Sequence, residues 1–98
     1  MGLFNFLKKE KEVILGIEFP IFDGQKLYAV GEGVKKTNKY QRKDYYYKLN
    51  QEKLYNYIAT IKSHGFIKNS DIKYAKQNGY IIIEQTDYNL HIAFHVNK

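Results

Sequence analysis

The chain has no cysteine and no tryptophan, and it carries a single proline and a single methionine in 98 residues. Without cysteine there is neither a disulfide framework nor a thiolate metal site, so stability has to come from packing. Long apolar runs are missing as well: no stretch nears the length of about 18 residues that spans a bilayer. The segment Leu3 to Leu7 ends at Lys8, which is too short for the core of a secretory signal. These absences point to a cytoplasmic protein with no stable membrane insertion. Serine is confined to Ser63 and Ser70, neither of them in a nucleophile-elbow setting, so covalent catalysis has no evident nucleophile.

Acidic residues are the scarcer charge. Sixteen Lys and Arg stand against ten Asp and Glu, giving a net charge of +6, and only one of the sixteen is an arginine. A pI of about 9.4 lies just beyond the basic mark used for nucleic-acid-binding domains and favours acidic partners in general. Abundant Lys, Ile, Tyr and Asn beside one Arg also fits AT-rich coding or plain solubility, so charge alone selects no ligand. A length of 98 residues with 44% hydrophobic content suits a single domain, 1–98, with one core.

Residues 1–12 hold Leu3, Phe4, Phe6 and Leu7 ahead of alternating charges, which reads either as a short amphipathic segment or as a flexible one. From Val13 the apolar period becomes two, with Val13, Leu15, Ile17, Phe19 and Ile21 on one face of an extended run that ends near Pro20. Asp23-Gly24 signals a turn, and Leu27 to Val34 reads as the strand returning beside it. Tyr45 to Tyr47 has high β-propensity; if Tyr45 and Tyr47 go inward with Leu49, then Tyr40 and Tyr46 face outward.

The strongest local signal is a helix over 51–64. Asn50 is a favourable N-cap, Leu49 and Leu54 occupy the staple positions, and Glu52 sits where a carboxylate meets the positive helix end. Leu54, Tyr57, Ile58 and Ile61 form one apolar stripe, and Gly65-Phe66 after it matches a Schellman stop. Residues 70–78 are open between a second short helix capped by Ser70 and a strand leading to an Asn78-Gly79 turn; Ile72 and Ala75, three apart, favour the helix. Tyr80 to Thr86 and Leu90 to Val96 read as two strands, the first central and covered on both faces because of Ile81-Ile82-Ile83. The expected class is α+β: an antiparallel sheet of about five strands with helix 51–64 on one face and a possible short helix at 70–78. With 70–78 as a recognition helix, the order from Asn50 to Val96 also fits a winged-helix arrangement.

Candidate chemistry is sparse. His91 and His95 lie four apart on a strand, about 13 Å between Cα atoms, so they do not share a metal ion, and no metal or cofactor is expected. Glu18 and Glu32 would face each other across the first hairpin as a carboxylate pair, but they read more simply as a solvated face. Gly31-Glu32-Gly33 before Lys35 and Lys36 lacks the spacing of a phosphate-binding loop. What remains is Lys35 to Lys48, KKTNKYQRKDYYYK, with six basic residues and four tyrosines around Asp44. Cations that neutralise phosphates beside rings that stack on bases suit single-stranded nucleic acid. The expected function is therefore a non-enzymatic module that binds nucleic acid, single-stranded or through its backbone, with Lys35, Lys36, Lys39, Tyr40, Arg42, Lys43, Tyr46 and Lys48 as the binding residues. The alternative is a protein-interaction module, such as an inhibitor, immunity-type or accessory protein, docking on an acidic partner with the same tyrosines as anchors. An exposed strand edge would also permit homodimerisation.

Overall fold

The structure is a computed structural model, and it describes residues 10–27 and 33–98. In chain order the elements are β1 (Lys11–Ile14), β2 (Ile17–Pro20), β3 (Gly33–Lys36), β4 (Tyr40–Lys48), α1 (Gln51–Ser63), β5 (Ile67–Lys68), β6 (Lys73–Lys76), β7 (Gly79–Gln85) and β8 (Asn89–Asn97). Strands β3 to β8 form one six-stranded sheet in the order β3-β4-β8-β7-β6-β5, and β1-β2 form a separate hairpin. All pairings are antiparallel. This is the expected α+β class, with more strands than anticipated.

Helix α1 forms as its local signals dictate. The Asn50 side chain accepts a hydrogen bond from the Lys53 N–H at 3.0 Å. At the other end Gly65 takes φ 93°, while the Phe66 and Gly65 N–H groups donate to the Ile61 and Lys62 carbonyls at 3.1 and 3.0 Å. That is the paired hydrogen bonding of a Schellman motif. The helix carries the chain from β4 to β5, at opposite parts of the sheet order, and β5 through β8 then meander back until β8 lies beside β4.

Leu54, Tyr57 and Ile61 of α1 and the following Phe66 are buried with Tyr45, Tyr47, Tyr74, Ile81, Ile83, Leu90, Ile92, Phe94 and Val96 of the sheet. The β1-β2 hairpin shares this core through Ile14, Ile17 and Phe19. The Phe19 ring stacks on Phe94 with centroids 4.7 Å apart, and the Tyr57 hydroxyl donates to the Pro20 carbonyl at 2.6 Å. Helix and hairpin thus cover the same side of the sheet. By register, its other side carries Lys35, Tyr40, Arg42, Asp44, Tyr46, Lys73, Tyr80, Ile82, Glu84, His91 and His95.

Several expectations are corrected. The run from Val13 to Ile21 is not one strand: Leu15 (φ 48°) and Gly16 (φ 84°) form a two-residue turn that pairs Ile14 with Ile17. Two successive positive φ values match the twist of tight hairpins, which glycine accommodates. The slip exposes Val13 and Leu15, at 55% and 48%, and buries Ile14 in their place. Of Leu27 to Val34, residues 28–32 lie outside the described region, and Gly33 onward pairs with β4 instead of β2. Residues 1–9 of the N-terminal segment also lie outside it, while Lys11 and Glu12 already belong to β1.

Residues 70–78 form no helix. Strand β6 pairs with β7 in a hairpin closed by Lys76 and Gly79, and Gln77 takes φ 55° in the turn. Tyr74 enters the core while Ile72 stays 42% exposed. Burial of one large ring on a pleated surface, with ladder hydrogen bonds on its backbone, outweighs a two-turn helix whose apolar stripe would be Ile72 and Ala75. The winged-helix arrangement falls with it. Ile81 and Ile83 are buried but Ile82 is half-buried on the uncovered side, so β7 is covered on one face only.

At Gly79 the β1-β2 hairpin lies close against the sheet. A Cβ there would lie 2.8 Å from Ile17 Cδ1, 3.2 Å from Phe19 Cζ and 3.4 Å from Val96 Cγ2. Gly79→Val is expected to cost about 2 kcal/mol by overpacking. Gly33→Ala, with no described residue within 4 Å of its Cβ, should stay within about 0.5 kcal/mol of the parent. Urea unfolding midpoints of the two variants test this contrast.

Candidate nucleic-acid interface

The candidate site is the side of the six-stranded sheet that, among the described residues, neither helix α1 nor the β1-β2 hairpin covers. Along β4 the side chains alternate, so Tyr45 and Tyr47 are buried while Tyr40, Arg42, Asp44 and Tyr46 are partly exposed on the opposite side. Pairing extends this row sideways: Lys35 with Arg42, Arg42 with His95 and Tyr46 with His91, and His95 with Tyr80. Lys48 is opposite Asn89 and continues the same row at the end of β4.

Aromatic rings organise this surface. His95 lies between Tyr40 and Tyr80, with centroid distances of 4.5 Å on both sides and interplanar angles of 24° and 15°. Tyr46 stacks on His91 at 4.6 Å and 7°. Neighbours on adjacent strands that stack in this way stand upright from the sheet, so the surface offers ring edges and the ends of each stack. At one end Lys73 Nζ sits 4.4 Å from the Tyr80 centroid, a cation–π contact. Tyr40 ends this stack on the side of β3.

The charges form a connected network. Arg42 donates from Nε to Asp44 Oδ1 at 2.9 Å and from Nη2 to Oδ2 at 3.1 Å. His91 Nε2 lies 2.8 Å from the same Asp44 Oδ2, and its Nδ1 lies 3.2 Å from Glu84 Oε1. Burial pushes the Asp44 carboxyl up, but hydrogen bonds from Arg42 and His91 outweigh it and hold the group below its ordinary value. The Arg42 guanidinium is correspondingly raised by its hydrogen bonds to Asp44.

Of the sequence-predicted residues, Lys35, Tyr40, Arg42, Tyr46 and Lys48 share this side, and Lys39 lies in the turn between β3 and β4. Lys36 and Lys43 do not share it. Lys36 pairs with Gln41 and so takes the other side, and Lys43 reaches Glu12 Oε1 of β1 at 2.9 Å. The same Glu12 oxygen accepts from the Tyr45 hydroxyl at 2.8 Å. Composition grouped these lysines because it ignores alternation along a strand, which separates neighbours onto opposite faces. Tyr80, His91, His95, Lys73 and Asp44 were not among the predicted contacts. The inward pattern of Leu90, Ile92, Phe94 and Val96 already implies that both histidines face outward, but their ring partners depend on register between strands.

Glu18 accepts from Lys11 Nζ at 2.7 Å; Glu32, its counterpart in the carboxylate pair, and Gly31 of the glycine-flanked segment lie outside the described residues. Among the described residues no group of His, Cys, Asp or Glu is arranged to hold a metal ion, and no helix is long and apolar enough to cross a membrane. Compared with known proteins, the chain matches no family model, no curated protein and no solved structure.

His95 carries a pH signature. Its residue is 8% exposed, Nε2 donates to Asn97 Oδ1 at 3.1 Å, and Nδ1 is buried without a partner among the described residues. Burial, chiefly, holds its pKa below the ordinary value, against the Asn97 hydrogen bond. Below about pH 6.5 the unfolded chain takes up a proton that the folded chain refuses, so stability present above that pH is lost as pH falls toward the folded pKa. Between about pH 7 and 5 the fall in unfolding free energy should therefore be smaller in His95→Phe, which keeps a ring in the stack but does not titrate. Urea titrations at several pH values measure the difference.

Proposed function

We propose that this protein is a non-enzymatic module that binds single-stranded nucleic acid on the uncovered side of its six-stranded sheet. The observation that carries the reading is the interleaving of Tyr40, Tyr46, Tyr80 and two histidines with Lys35, Arg42, Lys48 and Lys73 on one sheet face. An antiparallel sheet that presents aromatic side chains beside cations is a recurrent way to receive unpaired bases and their phosphates. In a chain of net charge +6, phosphate neutralisation supplies the sequence-independent part of the affinity.

A second reading, docking of a protein partner, is favoured by one observation: Arg42 is already bonded to Asp44, and Glu84 adds a second carboxylate to the face. A surface of mixed sign with half-exposed tyrosines suits a protein interface.

Binding of a fluorescent oligothymidine, followed by anisotropy across a salt titration, separates the two. The nucleic-acid reading expects affinity at low salt that falls linearly with the logarithm of salt concentration. Lys35→Glu should weaken binding more than Lys36→Glu, which makes the same charge change on the other side of β3, and Tyr40→Ala should cost about 1–3 kcal/mol. No binding at low salt, or equal losses from the two lysine variants, removes this reading. Co-purification of a defined protein without nucleic acid then supports the alternative.

A further inference from the structure

We infer that Arg42 and His91 form an oxyanion site for a backbone phosphate, and that Asp44 occupies this site as a built-in competitor. The inference rests on the nucleic-acid reading above and specifies how that face meets a phosphate. The guanidinium presents Nε and one terminal nitrogen to the two Asp44 oxygens at 2.9 and 3.1 Å. This parallel fork is the geometry that arginine uses for carboxylates and phosphates alike. His91 Nε2 converges on the second of those oxygens at 2.8 Å, so one oxygen position already has two nitrogens aimed at it.

Asp44 is flanked across the strands by Gly33 and Ala93, the two smallest residue types, and no described residue lies within 4 Å of where a Gly33 Cβ would be. Lys35, on the same side of β3 and opposite Arg42, adds a cation at the approach. The side chains of Arg42, Asp44 and His91 are 24%, 21% and 20% exposed, shielded enough to be ordered and open enough to exchange partners. A phosphate arriving here displaces the Asp44 carboxylate and takes over its hydrogen bonds. Affinity is thereby set lower than the count of cations suggests, and Arg42 is held in position before a ligand arrives.

Asp44→Asn keeps the side-chain shape while weakening its hold on Arg42. The variant should bind oligothymidine about fivefold more tightly than the parent, matching the modest worth of a partly exposed ion pair. Its salt dependence should steepen by about 0.7 in the log–log slope, as for one further phosphate neutralised on a single strand. Glu52→Gln, an equal charge change on the exposed face of α1, controls for net charge and should yield less than half of the gain. In an Arg42→Gln background the gain from Asp44→Asn should vanish. Circular dichroism checks that each variant is folded, and Asp44→Ser replaces Asp44→Asn if the latter is not.

A gain no larger than that of Glu52→Gln, or one that persists without Arg42, overturns the inference while leaving the nucleic-acid reading intact. If neither parent nor Asp44→Asn binds at low salt, the reading itself has failed and the inference goes with it.

Discussion

The pairing of β4 with β8 is the constraint on which the rest of the molecule depends. It runs for nine residues, from Tyr40 opposite Asn97 to Lys48 opposite Asn89, and joins the two longest strands. Because side chains alternate, this one register sends Tyr45, Tyr47, Leu90, Ile92, Phe94 and Val96 to the covered side and Tyr40, Arg42, Asp44, Tyr46, His91 and His95 to the other. A slip of β4 by one residue would send Tyr40, Arg42, Asp44 and Tyr46 to the covered side and turn Tyr45 and Tyr47 out of the core. The core and the candidate site are therefore consequences of the same alignment.

Helix α1 and the β1-β2 hairpin can lie only where the apolar set faces, and they share it through a small number of close contacts. The aromatic rings of Phe19, Phe66 and Phe94 meet beneath them, while Phe22 packs edge-on against Tyr47 and Tyr57. Glu12 completes the arrangement by drawing Lys43 and the Tyr45 hydroxyl toward β1. A cation counted with the binding segment by composition is thus used to hold the hairpin to the sheet.

What was legible in the sequence divides along the range of the interactions. Helix α1 was readable almost to the residue because its cap, stripe and stop lie within one short segment. The inward residues of β8 and the outward Tyr40 and Tyr46 were readable from period two alone. The break at Leu15-Gly16 was not, because Val13, Leu15 and Ile17 carry the apolar alternation straight through the turn, whereas the hairpin buries Ile14 in place of Val13 and Leu15. Residues 70–78 went astray for a related reason: Tyr74 becomes a core residue only when β7 lies beside it. On the candidate site, the tyrosines and Arg42 could be found locally, whereas the His95 stack and the Asp44 network exist only after distant strands are aligned.

The borders of the sheet have their own consequence. Its outermost members, β3 and β5, span four and two residues, and they carry Lys35, Lys36 and Lys68. Brief, lysine-bearing margins give a neighbouring molecule little continuous backbone to pair with. The described edges of the sheet therefore offer less template for strand addition than its broad, ring-studded plane would suggest.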